Sequence, residues 1–361
     1  MARVARAEVF DPAEVSVFHC VNRCVRRCFL CGEDPLTGRN YSHRKAWLEA
    51  RLELLAGAFG IDVLAFAILS NHIHLVLRNR PDVVATWSDT EVTRRWLRLC
   101  PKRRSEHDAE PPGEPPEPPE TLESTEAELD SIRCVPEKLV EIRRRLSDIS
   151  WLMRMIAEPV ARQANREDGV NGRFWQGRFH AVRLCDEAAL LACMAYVDLN
   201  LVRAGIAATP KTSEYTSIKR RIESLDAPPA QVVTPGCAAQ AAPPDGWLAP
   251  IPLDEATTDP GPLASATGRR ASDKGCLPLS LADDLELVDW TGRQMVVGKS
   301  SIPAHLPPIL ERLGIAAGNW LPLVTGFGRL FHRVAGAPRT LARWPRWQRF
   351  RPGQAALLGT P

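Results

Sequence analysis

Val63-Leu64-Ala65-Phe66-Ala67-Ile68-Leu69-Ser70-Asn71-His72-Ile73-His74-Leu75-Val76-Leu77 places two histidines inside an apolar stretch, just past a polar break. The run on either side of that break is short and rich in β-branched and aromatic residues, which predicts one strand over Val63 to Leu69 and another over His72 to Arg78. Side chains alternate faces along a strand, so His72 and His74 lie on one face roughly 7 Å apart while Ile73 and Leu75 turn to the core. Two readings stand at this point. Two imidazoles at that spacing can hold one metal ion, or they can simply decorate a polar, solvated sheet face.

Upstream, Val15 to Cys24 is β-rich and partly alternating, which predicts a strand with Arg23, Arg26 and Arg27 at its end. His43 to Phe59 spaces Trp47, Leu48, Leu52, Leu55 and Phe59 by three and four, as a helix stopped by Gly60 would. Downstream, Val83 to Cys100 reads as a helix with a basic end at Arg94, Arg95 and Arg98. Glu137 to Arg166 reads as another, kinked at Pro159. Gly172 to Arg183 alternates basic and aromatic groups, and Asp186 is a good N-cap for a helix running through Leu190, Leu191, Met194, Tyr196 and Val197 to just before Gly205. This order predicts an α+β fold: a β-α-β-β-α-β antiparallel sheet of the ferredoxin or RRM type, with helices on one face.

The chain has 361 residues, enough for a full core and, by length, two domains. The expected division is 1–226 and an Ala/Pro-rich extension over 227–361, with short helices at Leu281 to Met295 and Pro307 to Leu313. From Arg329 to Arg351 there are seven arginines and no carboxylate, interleaved with Trp344, Trp347 and Phe350. That segment reads either as an arginine and aromatic clamp on nucleic acid or as a diffusely basic tail. No stretch of 18 apolar residues and no apolar region after the N-terminus are present, so a soluble cytoplasmic protein with no membrane partner is expected. The ten cysteines then read as reduced thiols. Four of them cluster at Cys20, Cys24, Cys28 and Cys31, with spacing unlike a zinc ribbon.

Net charge is only +3, but it is unevenly spread. Between Glu106 and Asp130 lie ten carboxylates, six prolines and no Lys or Arg, within a segment (about 104–134) expected to be a disordered insertion. Without those ten, the 43 acidic residues fall to 33 against 46 basic ones, a balance of +13. Such a remainder suits a polyanionic partner.

Of three tyrosines, Tyr196 stands out because it sits in Ala195-Tyr196-Val197-Asp198-Leu199-Asn200-Leu201-Val202-Arg203-Ala204-Gly205, where a helix would put Asn200 one turn away on the same face. On its own, that tyrosine would read as a core residue. His72-Ile73-His74 preceded by Asn71, however, resembles the His-hydrophobic-His motif of single-tyrosine transposases of the IS200-like type, above all their REP-associated branch. Tyr196 with Asn200-Leu201-Val202-Arg203-Ala204-Gly205 looks like that branch's tyrosine helix and its Asn-Pro-Val-x-x-Gly signature. The resemblance spans roughly Val15 to Ile222. It departs at Leu201, where the family has proline, and at Leu69-Ser70, where a Met-Pro pair is common.

The resemblance implies an IS200-like catalytic domain over 1–226. It implies that Tyr196 is the nucleophile that cuts single-stranded or hairpin DNA through a 5′-phosphotyrosine link, and that His72, His74 and Asn200 are ligands for Mg²⁺ or Mn²⁺. A homodimer is compatible with it. A phenol is a weak nucleophile at neutral pH and needs such help, and a covalent link conserves the phosphodiester's energy for rejoining. Arg23, Arg26, Arg27, Arg173, Arg178 and Arg183 are expected phosphate contacts, and Phe174 and Trp175 expected base-stacking groups. His180 is read as packing or touching the DNA backbone, or as approaching the scissile phosphate. Two alternatives remain: a related replication or relaxation nickase, and a non-enzymatic RRM-like binder, against which the missing aromatic-rich strand counts.

Overall fold

Every second residue of β1 (Ser16–Arg23) points the same way, and the strand lies at the centre of the sheet that carries the histidines. A computed structural model describes residues 11, 13–25, 31–34, 38–101, 124–226, 243–253, 261–296, 303, 305–343 and 355–358. The expectations about Arg26, Arg27, Cys28, residues 102–123 and Trp344, Trp347 and Phe350 lie outside the described residues.

After β1 come α1 (His43–Ala58), β2 (Ile61–Ile68) and β3 (His72–Asn79), matching the sequence reading to within two residues. The helix expected over Val83 to Cys100 is two: α2 (Pro81–Thr86) and α3 (Asp89–Leu99), separated because the Ser88 side chain caps α3 by accepting from the Glu91 amide. Next come α4 (Glu126–Arg133), α5 (Pro136–Arg145) and α6 (Ile149–Glu167). The single helix expected over Glu137 to Arg166 is two, divided at 146–148, where Asp148 caps α6 at 2.7 Å from the Ser150 amide, and Pro159 lies inside α6.

Part of the segment expected to be disordered, Glu126–Arg133, is the helix α4. Thr125 and Glu128 form a reciprocal capping box, and Leu129 and Ile132, three apart, bury against α3 and α5. A run that is acidic by composition thus carries one apolar stripe, and the stripe is enough to dock a helix.

β4 (His180–Leu184) and α7 (Glu187–Asp198) follow, with Asp186 capping α7 at 2.9 Å from the Ala189 amide, as its position foretold. Then come α8 (Asn200–Arg203), α9 (Ser217–Asp226), α10 (Leu281–Val296), α11 (Leu306–Arg312), α12 (Ala317–Leu330), β5 (Val334–Ala335) and α13 (Pro338–Ala342). Among the described residues no helix is long and apolar enough to cross a membrane.

The strand order is β2-β3-β1-β4-β5, antiparallel throughout except for the parallel β4–β5 pair. The register decides what shares a face. Val21 lies opposite His74 on one side and His180 on the other, Arg23 opposite His72, and His19 opposite Val76 and Val182. Directly opposed residues project to the same face, so His19, Arg23, His72, His74 and His180 form one patch. In β2 a bulge at Leu64 slips the register between Val63 and Ala65, so that Ala67 rather than its neighbours falls opposite His74.

Helices cover most of both faces of this sheet, leaving only the Arg23, His72 and His180 end open. Phe18, Cys20, Phe66, Ile73, Leu75 and Leu77 pack with α1 and α6 on one side. On the histidine side lies α7, whose residues Ala188 to Asp198 are all buried, packed against β2, β3 and β4 and covered in turn by α12. A helix apolar all round needs cover on every side, and α12 supplies what the sheet cannot. The expectation of helices on one face only is therefore corrected: α7 and α12 occupy the second. Residues beyond 227 contribute to this same core through Leu277, Leu287, Leu310, Trp320 and Phe327. Cys20, Cys24, Cys31 and Cys193 are buried, and none is in a disulfide.

Two buried carboxyl groups lie where residues after 226 meet the rest of the core. Asp62, fully buried, accepts from Arg78 at 2.8 Å, from Arg80 at 3.3 Å and from the Ser272 amide at 3.0 Å. The second is that of Asp284 of α10, whose Oδ2 has no hydrogen-bond partner and whose carboxyl is pushed up to about 7 by burial, against the pull of Arg221. Between pH 4 and 7 the folded state holds this proton and the unfolded state does not, so stability falls as pH rises across that window. Asp284→Asn is expected to gain stability over wild type as pH rises through it, by up to about 4 kcal/mol at pH 8. Urea denaturation at pH 5 and pH 8 reads this directly, and an equal difference at both would refute a protonated Asp284.

Candidate active site

Six elements meet around a cavity of about 490 Å³. β1 contributes His19 and Arg23, β3 His72 and His74, β4 His180, α7 Tyr196, and α8 Asn200 and Arg203, while Gly328 of α12 and Phe331 close it. The sheet places the imidazoles by register, and the α7–α8 segment places Tyr196, Asn200 and Arg203 at a helix-like spacing of four and three. Leu199 interrupts the helix, but its amide still bonds the Ala195 carbonyl and its carbonyl takes the Arg203 amide, so the stripe stays aligned.

The histidines touch one another. His72 and His74 have ring centroids 4.8 Å apart, and His19 Nε2 lies 2.9 Å from His74 Nδ1. His72 Nδ1 donates to the Asn71 side-chain oxygen. Burial lowers all three: His19 to about 3, with His180 and His72 adding to the effect; His72 to about 4, helped by Arg23 and Arg203; His74 well below its ordinary value. They are neutral at physiological pH, the form that carries a lone pair for a metal.

Tyr196 presents its ring edge-on to His74 at 5.7 Å and to His19 at 5.8 Å, with the Arg203 guanidinium 4.3 Å from its centroid on the face. Phe327 packs on it at 5.8 Å. Its hydroxyl end reaches Gly328, where a Cβ would come within 2.7 Å of the phenol oxygen, so α12 can lie over the tyrosine only because residue 328 has no side chain. Tyr196 is 8% exposed.

Whether a cation fits can be judged from the donors. Among the described residues no three imidazole, thiolate or carboxylate groups are grouped to hold an ion. The His74 Nε2 atom is nonetheless buried with no hydrogen-bond partner, and so is Asn200 Nδ2. Asn200 Oδ1, the atom a metal would use, accepts from Arg203 Nη2 at 2.7 Å. The imidazole pair therefore suits a divalent ion that completes its shell with substrate oxygens, and Asn200 joins only if Arg203 lets go.

The four central residues of the sequence reading, His72, His74, Tyr196 and Asn200, share this cavity, and Arg23 joins them. Arg173 and Arg178 are exposed on the loop before β4. Phe174, Trp175 and Arg183 are elsewhere than expected. Phe174 and Trp175 are core residues packed edge to face at 5.1 Å, and the Trp175 indole donates to the Ala157 carbonyl at 2.7 Å, which leaves no ring face for a base. Arg183 is buried and bonds Glu14 at 2.7 Å, so it is no phosphate contact.

Three residues escaped the sequence reading. His19 had a signal, the alternation Val17, His19, Val21 on the strand beside β3, and Arg203 had one too, the stripe 196, 200, 203. Gly328 had none.

No family model matches the chain, and no curated protein is similar to it in sequence. A solved structure of a REP-associated tyrosine transposase bound to a REP hairpin is similar over 61% of this chain and 86% of that one, at 12% identity and a TM-score of 0.32. At that distance the likeness settles neither fold nor chemistry.

Proposed function

We propose that this cavity cleaves and rejoins single-stranded or hairpin DNA through a covalent bond between Tyr196 and a 5′-phosphate. The observation that carries the reading is the convergence of one tyrosine on the neutral, buried imidazole of His74, with half-buried His72 beside that ring and Arg203 over the tyrosine. In the step, the Tyr196 hydroxyl gives up its proton as its oxygen bonds to phosphorus, the P–O3′ bond breaks, and the departing oxygen takes up a proton to become a 3′-hydroxyl, so that one proton is released and one consumed. Attack by a second 3′-hydroxyl reverses the bond changes and frees the tyrosine.

Arg203 over the ring favours the negative charge that develops on the phenol oxygen, and its charge with that of Arg23 draws a phosphate to the cavity. His72 and His74 would hold a Mg²⁺ or Mn²⁺ ion, which when bound polarises the phosphate. The helices that cover most of both sheet faces count against the RRM-like alternative, since among the described residues the sheet is open only at its histidine end, where the cavity lies.

The test is incubation of the full chain with a labelled single-stranded hairpin and Mg²⁺, followed by denaturing electrophoresis. A protein–DNA adduct that a chelator prevents is expected, together with joining of an added 3′-hydroxyl end. Salt-sensitive binding with no adduct would defeat the proposal, and an adduct that rejoins only its own end would favour the nickase alternative.

A further inference from the structure

We propose that His19 is a positioning residue that holds His74 in the tautomer protonated at Nδ1 and so leaves Nε2 bare for a cation. The inference rests on the metal reading above and goes beyond it by assigning a role to a residue outside the histidine motif.

The geometry is that of an in-line hydrogen bond. The planes of the two imidazoles are 11° from parallel and their centroids 5.1 Å apart, which is what the 2.9 Å N···N contact plus the two ring radii comes to. The rings therefore lie end to end along the bond rather than face to face. One proton between two nitrogens allows two arrangements. If His19 Nε2 donates, His74 carries its proton on Nε2, where a buried N–H has no acceptor. If His74 Nδ1 donates, its Nε2 is a lone pair on a side chain that lines the cavity.

The neighbouring histidine shows the same device. His72 Nδ1 faces the side-chain oxygen of Asn71, an acceptor, which favours the tautomer protonated at Nδ1 and bare at Nε2. His19 stands to His74 as Asn71 stands to His72. Both ring nitrogens needed by one ion are then presented in the same form, each fixed from behind by a hydrogen bond, as metal-binding imidazoles are. The strand register makes the arrangement rigid: His19 sits one ladder position from the row that contains Val21 and His74, pinned by Val76 and Val182 on either side.

The test has two arms. In the metal-free protein, ¹⁵N-histidine NMR should show His74 protonated at Nδ1, and protonation at Nε2 would overturn the proposal without any variant. In the second arm Mn²⁺ alone is titrated and followed by its EPR signal. His19→Leu should weaken Mn²⁺ binding about 10- to 100-fold, and His19→Gln, whose amide oxygen can accept the same proton, should recover most of the loss. Mn²⁺ binding that His74→Ala abolishes but His19→Leu leaves unchanged would overturn the role of His19 alone. Mn²⁺ binding indifferent to His72→Ala and His74→Ala would instead overturn the metal reading, and the inference with it.

Discussion

Tyr196→Phe should leave the hairpin bound but uncut, with no protein–DNA adduct and a rate at least roughly a thousandfold below wild type. The substitution removes one oxygen and nothing else. The ring keeps its edge contacts with His19 and His74, its packing on Phe327 and the guanidinium of Arg203, all of which involve carbon. Stability should therefore change by less than about 1 kcal/mol. Loss of activity without loss of fold is the signature of a removed nucleophile. The measurement is single-turnover cleavage in Mg²⁺ alongside thermal unfolding of the two proteins. Equal adduct formation by wild type and variant would move the chemistry to another residue.

The largest expected loss of stability comes from Asp62→Ala. Asp62 is fully buried and is the anion shared by two buried guanidinium groups, Arg78 and Arg80, and by the amide and hydroxyl of Ser272. Breaking one partner of a buried ion pair costs about 3–5 kcal/mol because the other charge is left uncompensated. Here the low end applies. Arg80 keeps Asp82 at 2.8 Å, and Arg78 keeps the carbonyls of Gly275 and Lys274 at 2.8 and 2.6 Å. A loss near 3 kcal/mol in urea denaturation is expected, and a loss under 1 kcal/mol would show that this cluster holds nothing together. Because Ser272 and Gly275 lie far along the chain from β2, the result also measures how firmly the residues after 226 are built into the core.

The readable elements include those nearest the histidine stretch and, far from it, α10 and α11, each within one residue at both ends. β2 and β3 have strong β-formers, α1 keeps its three-and-four spacing from Trp47 to Phe59, and Asp186 announces α7. α12 was invisible for a physical reason: Gly318, Pro322, Gly326 and Gly328 make it a poor helix by propensity, and it forms because Trp320, Leu323, Val324 and Phe327 bury against α7 and its surroundings. That one omission also hid the cover of the second sheet face. Phe174 and Trp175 misled for a different reason. In an irregular segment no periodicity distinguishes an inward ring from an outward one, so an arginine and aromatic alternation resembles a stacking platform even when both rings are core. The site itself was legible at His72, His74, Tyr196 and Asn200 as a set of residues. The contacts among them were not, because they depend on strand register and on the Arg203 side chain.

The placement of Gly328 against the tyrosine bears on when in the protein's life this site can exist. A chain emerging from the ribosome makes β1 to β4 and α7 well before α12 and β5, and those last elements supply one wall of the cavity, one edge of the sheet and the outer cover of α7. Until they arrive, the apolar back of α7 has no partner and Tyr196 has no fixed seat. A nascent or prematurely terminated chain would thus hold the histidines and the tyrosine without the arrangement that encloses them, so that the cavity is complete only after synthesis has passed Ala335.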